Sequence, residues 1–263
     1  MMPTIQINNA QFYYELHGKG QPLVLVSGLA ADHQAWLSIL QPLIKQYRVL
    51  IFDNRGVGRT HDDGIALTID QMAEDVAALA TALGLRNPHF VGHSMGGNIV
   101  QRIGVRYPDK IGKLVLLTTS PKWRQAMLLA MKMIATIREN VADPTVAIQS
   151  IITWCLGERF LTQPGRYKGF IEMCLANPHP QSLCDYQRQL RALAQFDNRD
   201  HLHKIIAPTL VIYGKEDLLT LPAESEYMAR QIPTSTLISL ESAHIPSLET
   251  PAELTQALLT FLA

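Results

Sequence analysis

The stretch Phe90-Val91-Gly92-His93-Ser94-Met95-Gly96-Gly97-Asn98 decides how the rest of this chain is read. His89 to Val91 is an apolar run with strand character, and Ile99, Val100, Ile103 and Gly104 recur on one face of a helical pattern downstream. Between them lies a Gly-His-Ser-Met-Gly-Gly turn. A serine at the tip of so sharp a strand-to-helix turn sits in strained backbone, and side chains two positions to either side would collide with the adjoining elements. Gly92 and Gly96 remove those collisions. The turn pushes the Ser94 hydroxyl out of the sheet edge, beside helix N-terminal N–H groups that suit a developing negative charge. A glycine-rich turn with an uninvolved serine is the plainer reading; strand before and helix after favour an activated Ser94.

The surrounding chain has room for a large fold. Its 263 residues could form two small domains, but α/β folds of this size often form one, and a 47% hydrophobic content supplies an ample core. A formal net charge of zero gives no global field that would draw nucleic acid or an anionic membrane. The opening Met-Met-Pro-Thr-Ile-Gln-Ile-Asn-Asn lacks a basic segment followed by an apolar block, so no secretory signal is expected. The most apolar run, Met127 to Ile137, is shorter than a membrane span and is interrupted by Lys132. Cys155, Cys174 and Cys184 are too scattered for a disulfide framework or a metal site. A reducing, cytoplasmic setting is expected, with no metal, no cofactor and no phosphate-cradling loop; Gly56-Val57-Gly58 lacks the third glycine and helix-opening context of a dinucleotide fingerprint.

Taken in order, Thr4–Asn8 and Phe12–Leu16 read as an opening antiparallel hairpin around the turn-favouring Asn8-Asn9. Pro22–Val26, Val49–Phe52, His89–Val91 and Leu114–Leu117 are unbroken apolar runs, the mark of strands buried on both faces of a parallel sheet. Helical patterns separate them: His33 to Gln46 with Trp36, Ile39, Leu40 and Leu43, then a helix carrying Met72, Val76, Leu79 and Leu83 that Thr68 or Asp70 can cap and Gly84 ends. Strand and helix alternate, which calls for an α/β fold with helices on both faces of a mostly parallel sheet. From Pro121 to about His203 the rhythm is helical only, broken at Pro144, Pro164-Gly165 and Pro178-His179-Pro180. Residues 121–203 are therefore expected to form a helical cap inserted into a core of residues 1–120 and 204–263. The core resumes with the strand Pro208–Gly214, a helix over Ala223–Ile232, the strand Thr236–Leu240 and a closing helix Pro251–Leu262.

A serine hydroxyl needs a general base, and the base needs an orienting carboxylate. Asp217, in Tyr213-Gly214-Lys215-Glu216-Asp217, follows one late strand; His244, in Glu241-Ser242-Ala243-His244, follows the next. Chemistry in open α/β sheets gathers at the carboxyl ends of strands, which would bring the three to one rim. Glu216 is the rival acid, and helix capping is the plain alternative for Asp217.

These residues resemble the α/β-hydrolase fold superfamily, in particular the group of small-molecule serine esterases, enol-lactonases and pimeloyl-carrier-protein methyl esterases. The resemblance runs nearly end to end. Gly28-Leu29-Ala30-Ala31-Asp32 with Trp36, Phe52-Asp53-Asn54-Arg55-Gly56-Val57-Gly58, the Ser94 turn and the loops of Asp217 and His244 carry it, and the order Ser, Asp, His is the one such folds use. It implies an eight-stranded-type sheet, Ser94 as nucleophile, His244 as base and Asp217 as orienting acid. It further implies an oxyanion hole from the backbone N–H groups of Leu29 and Met95. Two positions depart from the common pattern: Ser27-Gly28 stands where the family often has His-Gly, and Glu241-Ser242-Ala243-His244 where it has Gly-x-Gly-His.

The implied activity is hydrolysis of an ester, thioester or lactone of a small molecule. A carbon–carbon bond hydrolase, a lyase or a cofactor-free peroxidase can share the triad, and a ligand receptor or a carrier-protein-binding module is the reading of another class. Ten Lys and Arg against seven Asp and Glu lie between residues 121 and 200, so the cap is mildly basic. That could draw a carboxylate-bearing substrate or one held on an acidic carrier protein, although a solvated surface explains it as well. Trp123, Met127, Met131 and Ile134 form a helical stripe that suits either cap-to-core packing or the lining of an acyl pocket. His93 is expected to point away from Ser94, His33 and His61 to be solvated on loops near the rim, and Asp53 with Arg55 to form a loop-fixing polar pair.

Overall fold

The computed structural model describes residues 3–263. Among them, eight strands form one sheet: β1 (Thr4–Ile7), β2 (Ala10–His17), β3 (Gln21–Val26), β4 (Tyr47–Phe52), β5 (His89–His93), β6 (Leu114–Leu117), β7 (Thr209–Gly214) and β8 (Ser235–Leu240). Their spatial order is β1-β2-β4-β3-β5-β6-β7-β8. β1 and β2 pair antiparallel, as does β2 with β4, and every later pairing is parallel. The helices, in chain order, are α1 (Leu37–Leu43), α2 (Ile69–Ala82), α3 (Met95–Arg106), α4 (Gln125–Asn140), α5 (Pro144–Cys155), α6 (Glu158–Leu161), α7 (Arg166–Leu175), α8 (Leu183–Gln195), α9 (Pro222–Gln231), α10 (Pro246–Glu249) and α11 (Pro251–Leu262).

The apolar runs are continuous because both faces of each central strand are covered. Val24, Val26, Leu50, Phe52, Phe90, Leu114, Leu116 and Val211 pack on one side with residues of α2, α3 and the helices between β6 and β7. Leu23, Leu25, Val49, Ile51, Val91, Val115, Leu117, Leu210 and Ile212 pack on the other with α1 and α11. Alternate residues of one strand thus feed two cores. The segment between β6 and β7 holds α4 to α8 and contributes no strand to the sheet.

Local chemistry sets the element ends. Thr68, not Asp70, caps α2 by accepting from the Gln71 N–H at 3.1 Å, while Asp70 pairs with Arg102 and Arg106. Gly84, at φ +67, ends that helix in the left-handed turn expected of a glycine stop. The helix expected from His33 to Gln46 is shorter: a 3-10 turn covers His33–Trp36 and the α-helical part ends at Leu43. Asp32 caps the tight turn at the Gln34 N–H, and Asp53 takes the N–H of His33, tying the turn to the neighbouring loop.

Chain order and spatial order part at β3. The chain leaves β3 for β4 on one side, then crosses back to β5 on the other side. Loops after β3 and β5 therefore diverge at their carboxyl ends, the place where open α/β sheets put their ligand sites. Leu29 and Ser94 lie on those two loops.

Candidate active site

Ser94 occupies the turn between β5 and α3 with φ 56° and ψ −119°, a backbone setting that costs a non-glycine residue on the order of 1–3 kcal/mol. Three close approaches hold it there. A side-chain carbon on Gly92 would lie 2.3 Å from the Gly96 carbonyl oxygen, and one on Gly96 would lie 2.0 Å from that of Val26. One on Gly28 would reach within 2.9 Å of Ser94 Cβ. Thr119 Oγ1 donates to the Ser94 carbonyl at 2.7 Å and braces the turn from β6.

The three residues named from the sequence meet. Ser94 Oγ lies 3.0 Å from His244 Nε2, and His244 Nδ1 lies 2.9 Å from Asp217 Oδ2. All three are nearly closed to solvent, at 5%, 4% and 1% exposure. Asp217 is further held by the N–H groups of Leu219 and Thr220 on Oδ1, at 2.8 and 3.0 Å, and by the Thr220 hydroxyl on Oδ2 at 2.6 Å. Burial alone would raise its carboxyl, but the His244 charge and these hydrogen bonds outweigh that and hold it below the usual carboxylate range. Glu216 points elsewhere: its Oε2 accepts the Glu158 N–H at the start of α6, 2.7 Å away.

His93 faces away from the Ser94 hydroxyl. Its Nε2–H donates to the carbonyl oxygen of His244 at 2.7 Å, and Thr118 Oγ1 donates to the same oxygen at 3.0 Å. Burial and the neighbouring His244 push His93 down to about 3, so it is a neutral donor.

On the facing loop, the Gly28–Ala31 turn closes through an Ala31 N–H bond to the Gly28 carbonyl, 3.3 Å. Among the described residues no protein acceptor takes the N–H of Leu29 or of Met95, the first residue of α3. Ser27 fills the departure from the family pattern by its own bonds: it donates to the Asp32 carbonyl at 3.1 Å and accepts from Trp36 Nε1 at 2.9 Å. Gln189 of α8, fully buried, reaches down to accept from the Ala30 N–H at 3.3 Å and to donate to the Arg55 carbonyl at 2.7 Å. Nothing in the spacing of Gln189 marks it, because Ala30 and Arg55 lie on loops more than a hundred residues away.

Two expectations about the loops after β3 and β4 need correction. Asp53 and Arg55 do not pair with each other. Asp53 accepts from the His33 N–H and ring Nδ1, at 2.8 and 2.7 Å, and from the Arg59 N–H at 2.8 Å. Arg55 forms a buried pair with Asp75, Nε to Oδ2 at 2.5 Å and Nη2 to Oδ1 at 3.1 Å. His33 is not solvated: it is buried, and although burial opposes its charge, the Asp53 bond and charge raise it above the ordinary histidine value. His61 is exposed and bridges to Gln11 through its backbone. Asp32, His33 and Asp53 bring three potential metal-ligand atoms close together. Each carboxylate already accepts three hydrogen bonds: Asp32 from Gln34 N, Gln34 Nε2 and Asn177 Nδ2, and Asp53 from the three donors above. Hydrogen bonding within the chain accounts for that cluster.

Trp123, Met127 and Met131 are buried in the apolar cluster that also contains Met95, the neighbour of Ser94. The Trp123 indole N–H donates to Asn98 Oδ1 at 2.8 Å, pinning the start of α4 to the first turns of α3.

Residues 21–251 match the family described as alpha/beta hydrolase fold, and the chain belongs to that family. It is an enzyme of the hydrolase class. Over 265 residues it is 29% identical to a Stutzerimonas stutzeri protein bearing the provisional name carbamate hydrolase RutD, covering 95% of this chain and 96% of that one. Over 259 residues it is 28% identical to 3-oxoadipate enol-lactonase 1 of Acinetobacter baylyi, covering 96% and 90%. A thermophilic esterase from Thermogutta terrifontis superposes with a TM-score of 0.86 at 27% identity, covering 99% of this chain and 98% of that one. No helix among the described residues is long and apolar enough to cross a membrane.

Proposed function

We propose that this chain is a serine hydrolase that cleaves a carboxylic ester-type bond of a small molecule through an acyl-enzyme on Ser94. The observation that carries the reading is the unbroken relay Ser94 Oγ, His244 Nε2, His244 Nδ1, Asp217 Oδ2, with spacings of 3.0 and 2.9 Å. Ser94 Oγ attacks the carbonyl carbon as His244 Nε2 takes its proton; Asp217 holds the Nδ1–H tautomer and offsets the imidazolium charge. The tetrahedral oxyanion is met by the N–H groups of Leu29 and Met95. Collapse breaks the bond to the leaving oxygen or sulfur, which takes the proton from His244. Water, deprotonated by His244, then attacks the acyl carbon; Ser94 leaves with that proton and the acid is released. In a lactone the leaving hydroxyl stays attached, giving a hydroxy acid.

Residues 121–203 act as a cap over this site, and Trp123, Met127 and Met131 offer its apolar wall to the acyl group. The mild basic excess of the cap favours a substrate that bears a carboxylate or rides on an acidic carrier. A carbamate is a second reading, supported by the name of the Stutzerimonas relative; the same steps would then give a carbamoyl-enzyme.

The deciding experiment is labelling by a fluorophosphonate followed by intact mass and peptide mapping, beside turnover of short p-nitrophenyl esters, thioesters, lactones and carbamates. One adduct on Ser94 and loss of turnover in Ser94→Ala, on the order of a millionfold, are expected. Normal turnover in Ser94→Ala ends the proposal.

A further inference from the structure

The turn between α5 and α6, residues Cys155–Glu158, is gripped by both loops that carry the imidazole and its acid. The His244 N–H donates to the Cys155 carbonyl at 3.0 Å. Glu249, at the end of α10, accepts the Gly157 N–H on Oε2 at 2.9 Å. The same carboxylate accepts from residues on either side of His244: the Ala243 N–H, 3.1 Å from both oxygens, and the Ile245 N–H, 3.1 Å from Oε1. Glu216, next to Asp217, accepts the Glu158 N–H.

Gly157 makes this convergence possible. Its φ of −78° is open to any residue, so backbone conformation does not demand glycine. Room there is short: a side-chain carbon would lie 2.5 Å from Glu216 Oε2 and 3.2 Å from Glu249 Oε2, and would crowd both carboxylate ends off the turn, the exposed Glu216 first. The carbonyl of His244 is fixed from the sheet by His93 and Thr118, so its N–H side is the side left for the turn and Glu249 to fix.

We infer that Glu249 is a positioning residue for His244, and that it aims the imidazole only while the α5–α6 turn is seated between it and Glu216. One carboxylate binds the base loop at Ala243 and Ile245 and the cap at Gly157, so cap seating and the aim of Nε2 at Ser94 are one event. Without the clasp, His244 is held at its own carbonyl alone, and the 243–244 peptide on its N–H side is free to turn. A displacement near 1 Å of a reacting group costs about a hundredfold in rate. This inference rests on the serine-hydrolase reading.

The test uses Glu249→Gln and Gly157→Ala in the full chain, with kcat and KM for a p-nitrophenyl ester, the fluorophosphonate labelling rate and thermal stability. Glutamine keeps the shape of Glu249 but replaces one acceptor oxygen by an NH2 that faces N–H donors. Expected is a fall of about 30- to 100-fold in kcat and in labelling rate, with KM within about threefold and partial recovery in Glu249→Asp. Gly157→Ala, which keeps both carboxylates and crowds their ends off the turn, should give the same kcat-specific loss, and the double variant should lose no more than the worse single one. Wild-type kcat in a folded Glu249→Gln, a loss confined to KM, or losses that multiply in the double variant would overturn the inference. Should Glu249→Gln fail to fold, Gly157→Ala decides by the same split. A wild-type chain that takes no phosphonate on Ser94 defeats the serine-hydrolase reading instead; a labelled wild type matched by an equally fast Glu249→Gln defeats this inference alone.

Discussion

The ring of His93 and the backbone of His244 are joined by an N–H···O bond of 2.7 Å, so the residue beside Ser94 holds the residue opposite it. A carbonyl oxygen can only accept, which fixes the proton of His93 on Nε2. Because the group is pushed down to about 3, it keeps that single role through neutral pH. His93→Leu should therefore lower kcat by one hydrogen bond's worth, about 1 kcal/mol or roughly fivefold. The acid limb of the pH–rate profile should stay where it is. A shifted limb would mean that His93 titrates in the assay range.

The adjacent acids Glu216 and Asp217 should separate cleanly. Asp217→Asn removes the charge and offers Nδ1 an amide in place of a carboxylate, and is expected to lower kcat by about ten-thousandfold. Glu216→Ala loses its hold on the α6 N-terminus, one side of the seat of the α5–α6 turn, and should lower kcat by no more than about a hundredfold. Equal kcat in wild type and Asp217→Asn would remove that residue from the relay.

Ser94 stands in backbone that glycine would occupy without strain. Ser94→Gly should lose activity as completely as Ser94→Ala, yet be the more stable of the two by about 1–2 kcal/mol in urea unfolding. Identical midpoints for the two variants would show that no strain is stored at this turn.

Glu224, in the first turn of α9, is raised to about 7, chiefly by burial, with Arg124 and the Leu221 N–H opposing. Its folded value lies above the ordinary 4.5, so between those pH values the folded chain holds more protons than the unfolded one. Stability contributed by the protonated group is then full below about 4.5 and is lost as pH rises through 7. Glu224→Gln keeps an acceptor for the Leu221 N–H and removes the charge. Relative to wild type it should gain on the order of 2–3 kcal/mol between pH 5 and pH 8 in urea melts. A difference that does not change with pH would place the carboxyl in ordinary solvation.

The sequence by itself determined the sheet, because strands covered on both faces must be apolar at every position, and Pro22–Val26, Val49–Phe52 and Leu114–Leu117 are. It also determined the Ser94 turn, since only glycine can stand at positions 92 and 96 when a strand, a turn and a helix meet so closely. Order along the chain then named Asp217 and His244. What packing alone decided is which partner each loop side chain takes. Asp53 and Arg55 sit two residues apart yet bond to His33 and Asp75, and Glu249 reaches Gly157 across 92 residues. Periodicity reports which face of an element is buried, which is a local property. The partner of a side chain on a loop is set by where other loops arrive once the core has closed, and no spacing within one segment encodes that.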